Sequence, residues 1–245
     1  GWKNTVAAGH AVVSGGFLNS VLGLGSASVI SGGGSNTIDG AASVIGGGAS
    51  NTVDGIGSVV GGGNENTVSA TLATISGGKL NIVTLLADNS TIAGGALNTA
   101  GNVYAAVGGG RNNFAGNFAT VVAVGSFNSA AARFGVVSGG KDNSVGGKYS
   151  VVSGGQDNTV QSEYSAIGGG SHNLAVSYGV VGGGKANTCG GYMAVISGGQ
   201  SNSMKGPYAV IAGGESNNAV GDHSVIGGGQ LNIVSNSDAT VGGGR

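Results

Sequence analysis

From Asn36 the chain reads Asn-Thr-Ile-Asp-Gly-Ala-Ala-Ser-Val-Ile-Gly-Gly-Gly-Ala-Ser, and at Asn51 the same pattern starts again. Taking each such Asn as position zero, apolar residues fall at positions two, eight and nine. Small residues hold position seven, and Gly-Gly closes the unit at eleven and twelve. The Asn recurs at 4, 19, 36, 51, 66, 81, 98, 113, 128, 143, 158, 173, 187, 202, 217 and 232. The step is 15, with two steps of 17 and one of 14. Each unit holds two short β-branched runs separated by Gly-bearing turns, which predicts two strands rather than a helix. Two strands and two turns per 15 residues describe one coil of a parallel β-solenoid. Sixteen coils fill 1–245 as a single domain.

The columns of this solenoid follow from strand alternation. Position nine is Val or Ile throughout, from Val13 to Val241, and position two is Val, Ile, Ala, Cys189 or Met204 in nearly every unit. Both are predicted to face inward. Position seven suits a thin inward slot, and the repeating Asn an inward ladder bonded to the next coil. Gly-Gly supplies turn angles; the pair fails once, at Val124-Gly125.

Position eight must then face outward. Its column carries eleven Val, three Thr, two Ala and no charge. A continuous outward apolar stripe predicts a partner surface. Val12, Val44, Val59, Val121, Val136, Val151, Val180, Val195, Val210 and Val225 are the expected oligomer contacts.

Composition narrows the function. There are 56 Gly and 1 Pro, which excludes collagen. Nine basic residues stand against ten acidic, leaving no basic stripe for nucleic acid. One Cys supplies neither a disulfide framework nor a cysteine-rich zinc site. No apolar run reaches the roughly 20 residues of a membrane helix. No cofactor, metal or catalytic constellation is expected. The three His fall at different coil positions and share no face with a carboxylate pair. Stacked carboxylates occur twice, Asp39 with Asp54 and Asp142 with Asp157, and are read as solvated. Cys189 is read as a buried, inert thiol.

Three outward features remain. Position six carries Tyr104, Phe134, Tyr149, Tyr164, Tyr178 and Tyr208, with Phe118 and Tyr192 one place earlier. Tyr combines an apolar face with a polar tip, so this column is the expected ligand surface; packing over turn edges is the competing reading. Positions thirteen and fourteen vary freely and read as a loop rim. The two 17-residue units, with Leu85, Leu86 and Leu97, are expected to carry a ligand or subunit contact. The turn corner of the first six units, with Ala42, Gly57 and Leu72, offers a ligand little.

These coils resemble the head domains of YadA-like trimeric autotransporter adhesins, and their GG-x-x-N form is similar to UspA-type head repeats. The resemblance spans all sixteen units. It implies a left-handed β-roll, a homotrimer, and cell-surface display as a segment of a larger outer-membrane-anchored protein. It also implies non-enzymatic binding of a host matrix protein or cell-surface receptor. No neck, stalk, anchor or signal peptide is recognised in these residues, so the chain is expected to be a head segment without direct membrane insertion. Phage and viral tail fibres use similar repeats, and a shaft or receptor-binding segment of such a fibre is the alternative. The 15-residue period contradicts the hexapeptide acyltransferases, and so uniform a coil lacks the charged cleft of a polysaccharide lyase. Three Thr in the eighth column are too few for ice binding.

Overall fold

Residues 1–245 are described by a computed structural model. The chain is all-β, a parallel β-solenoid of sixteen coils with no helix. It falls into two compact units of eight coils, Gly1–Ser126 and Phe127–Arg245. In the first unit, one sheet runs from Thr5–Val6 to Phe114–Ala115 and the other from Val12–Val13 to Val121–Val122. In the second, the sheets run from Ser129–Ala130 to Ile233–Val234 and from Val136–Val137 to Thr240–Val241.

Pairing is parallel and in register with the repeat. Thr37 and Ile38 lie beside Thr52 and Val53, and in the second unit Val136 and Val137 lie beside Val151 and Val152. The extra residues of the 17-residue coils leave this register intact, because Val29 still pairs with Val44 and Thr74 with Thr91. They are absorbed in the turn between the two strands.

The inward columns are as the pattern requires. Position nine from Ile30 to Ile226 and position two from Val21 to Val234 are buried. From Asn19 to Asn217 the repeating Asn is buried too. Asn36 Nδ2 donates to Gly32 O at 3.1 Å and to Gly48 O at 3.0 Å, while Asn36 Oδ1 accepts the Asn51 N–H at 3.0 Å. Where position seven carries Ser on successive coils, it adds a run of polar rungs that composition did not disclose. Ser43 Oγ donates to Gly55 O at 2.8 Å and accepts the Ser58 N–H at 3.1 Å.

The structure corrects the reading of position thirteen. It is not a free loop rim but a third ladder of single parallel bridges, such as Gly34 with Ala49 and Gln156 with Ser171. Only its side chains are free to vary. Positions fourteen and six are left-handed even where the residue is not Gly, as at Ser35 (φ 57°) and Tyr164 (φ 54°). The hydrogen bonds show where these N–H groups go. The first residue of a strand donates its N–H to the following coil, as Thr37 does to Asn51 O. At these two positions it turns back, Ser35 donating to Phe17 O and Tyr164 to Lys148 O.

The two glycines of the turn differ. Gly63 at position twelve has φ +93°, and a Cβ there would overlap Gly78 O and Asn66 Nδ2. Gly62 at position eleven would meet nothing. Position eleven is therefore where Val124 is tolerated.

Candidate binding surface

The turn between the two strands carries the rings. In the second unit Phe134, Tyr149, Tyr164 and Tyr178 stack face to face, with centroids 4.9, 5.1 and 5.5 Å apart and planes within 17°. Tyr192 and Tyr208 continue the column edge to face, at 5.2 and 5.6 Å. His223 closes it, stacked on Tyr208 at 5.1 Å. The coil repeat sets these spacings, since ladder neighbours lie about 4.8 Å apart. The column is exposed: Tyr149, Tyr164 and Tyr208 keep about half their surface.

Face-to-face stacking decides what this column presents. The ring faces from Phe134 to Tyr178 are covered by one another, so a partner meets edges and hydroxyls rather than flat rings. Tyr178 Oη donates to Glu163 Oε1 at 3.0 Å, and that bond to a carboxylate pushes its phenol above the usual range. In the first unit Tyr104 packs edge to face on Phe118 at 5.6 Å.

The same turn in the first unit is aliphatic. Leu24, Ile56, Leu72, Leu85 and Leu86 are all exposed there. Leu97 lies outside the inserted turn, at position fourteen.

The eighth column points outward as alternation demands. Val44, Val59, Val121, Val136, Val151, Val195 and Val210 are half-buried, and Val12, Val180 and Val225 more open.

Two expectations about ionisable groups are overturned. His10 and His223 share position six, since both occupy its left-handed backbone. His172 shares a face with a carboxylate pair: its Nε2 lies 3.5 Å from Asp157 Oδ2. Position fourteen places Asp142, Asp157 and His172 in one column, and Lys141 Nζ sits 3.5 Å from Asp142. In the other pair, partial burial and then the Asp39 charge raise the Asp54 carboxyl. No three His, Cys, Asp or Glu side chains converge in a metal-holding group. Burial pushes the Cys189 thiol up to about 11, so it is a poor nucleophile at neutral pH. The surface has no cavity.

No protein-family model matches the chain, and a search of curated proteins finds no match.

Proposed function

We propose that the chain is a non-enzymatic adhesin head, displayed at the cell surface as part of a larger outer-membrane-anchored protein. In this reading it is a parallel homotrimer packed through the eighth column, and it binds a host matrix protein or cell receptor along its exposed turn. The observation that carries the reading is the exposed ring column from Phe134 to Tyr208, repeated at a constant interval. Equal spacing lets an extended partner engage several weak contacts at once. The charge-free eighth column supports the trimer, because burying one Val contributes on the order of 1.5 kcal/mol and the contribution repeats on every coil.

The test measures adhesion and assembly separately. Tyr149→Ala, Tyr164→Ala and Tyr178→Ala should each weaken binding to immobilised matrix protein modestly, and together severely. Val136→Lys, Val151→Lys and Val195→Lys combined should dissociate the trimer in sedimentation while keeping the β-signal in circular dichroism. Undiminished adhesion by the triple Tyr variant, a monomeric parent chain, or turnover of a polysaccharide would each overturn the reading.

A further inference from the structure

The ring column of the second unit is flanked by six charged residues, and their order along the turn is not random. Counting coils from Gly1, Arg133 belongs to the ninth, Lys148 to the tenth and Glu163 to the eleventh. Lys205 belongs to the fourteenth, Asp222 to the fifteenth and Asp238 to the sixteenth. All six lie at positions three to six of their coils, Glu163 half-buried and the other five exposed. Three are positive and three negative, so the strip is neutral and polarised along its length.

We propose that this edge docks a second copy of the chain, antiparallel, about a twofold axis between the twelfth and thirteenth coils. Antiparallel pairing in that register sets coil nine against sixteen, ten against fifteen and eleven against fourteen. Arg133 then faces Asp238, Lys148 faces Asp222 and Glu163 faces Lys205. Every charge on the strip meets its opposite, and the twofold axis makes each pair twice. The ring edges of the two columns meet between them.

The neighbouring alternatives are selected against by the same residues. Shifting the register one coil toward the start of the chain sets Lys148 against Lys205. Shifting it the other way sets Glu163 against Asp222. A parallel pairing in register puts each charge on its own copy. Like charges across an interface are costly, so the order specifies one orientation and one register. A constant coil spacing makes the match possible, because opposed columns keep the same step along the whole strip.

This inference rests on the reading of the turn as a binding edge, and needs neither the trimer nor the host ligand. The test is a charge exchange in the full chain. One variant carries Arg133→Glu with Lys148→Glu, the other Asp222→Lys with Asp238→Lys. Alone, each opposes like charges at both ends of the pair, and its self-association should weaken at least about tenfold in sedimentation equilibrium. Mixed, the two are complementary at both ends, so the equimolar mixture should regain association to within about threefold of the parent. Energy transfer between donor-labelled and acceptor-labelled variants reports the mixed pair, and circular dichroism checks that each variant is folded. A parent chain with no association sensitive to these charges, or a mixture that associates no better than its components, overturns the proposal. Both variants keep the rings, so matrix adhesion by a parent chain that shows no charge-sensitive self-association sinks this inference alone. Charge-coded self-association without matrix binding sinks only the adhesin reading.

Discussion

Asn66 donates both its backbone N–H and its side-chain Nδ2 to a single atom, Oδ1 of Asn51, each at 3.1 Å. Asn51 Nδ2 in turn donates to Gly47 O, Gly63 O and Asn36 Oδ1, so one amide engages five groups on three successive coils. Asn51→Ala leaves these buried donors and acceptors unpaired, and at about 1–3 kcal/mol for each orphaned group the loss is expected to be on the order of 4 kcal/mol. Coils contact only their neighbours, so the damage should split the unfolding transition rather than only shift it. Urea denaturation followed by circular dichroism checks both; a loss below about 1 kcal/mol would contradict the ladder's role.

Gly62 and Gly63 make a matched pair of sites. Gly63→Ala forces a side chain into Gly78 O from a left-handed backbone, with an expected cost of at least about 3 kcal/mol. Gly62→Ala should change stability by no more than about 0.5 kcal/mol. Thermal melts of the two variants side by side give the comparison, and equal effects would refute the assignment of the close approach to position twelve.

Ala42 is exposed and left-handed, at φ 55°. Ala42→Gly removes the Cβ strain and adds some unfolded-state entropy, so a net gain of about 0.5–1 kcal/mol is expected. A destabilised variant would show that the side chain makes a contact worth more than the strain.

Cys189 links stability to alkaline pH. Its folded thiol ionises near 11 because burial disfavours the thiolate, whereas an unfolded thiol ionises near 9. Below pH 9 neither state has lost its proton and the full stability is present. Between about 9 and 11 only the unfolded state ionises, so up to about 2.7 kcal/mol is lost as pH rises. Stability curves of the parent and Cys189→Ala should diverge in that window, the parent falling more steeply. In the folded chain, alkylation at neutral pH should be negligible until denaturant is added.

Tyr178 should be among the slowest phenols to ionise, because it donates to Glu163 and its phenolate would face that carboxylate. In Glu163→Gln the carboxylate is gone, and the Tyr178 transition should move down toward the ordinary range. Ultraviolet absorbance titration resolves the change; an unmoved transition would refute the bond.

Sequence alone determined the coil, its inward columns and the Asn ladder. In a solenoid the neighbour of each residue is the same position one repeat away, so Val53 on Ile38 and Asn51 on Asn36 are legible as a period. Columns of rings and of outward Val are legible for the same reason. The tertiary structure decided what depends on backbone direction within the turns. Gly62 and Gly63 are the same letter, and only the close approach of Gly78 O separates their roles. The single bridges at Gly34 and Ala49 leave no mark in hydropathy, since one paired residue has no alternation to display. Left-handed angles at Ser35 and Tyr164 turn their N–H groups toward the preceding coil, and no residue type there announces it. His172 beside Asp157, and His223 on Tyr208, were legible as shared positions one repeat apart, and the structure adds their contact distances. Ring faces or ring edges, the distinction that governs what the surface can bind, is settled by side-chain packing at a fixed interstrand spacing and by nothing local to the repeat.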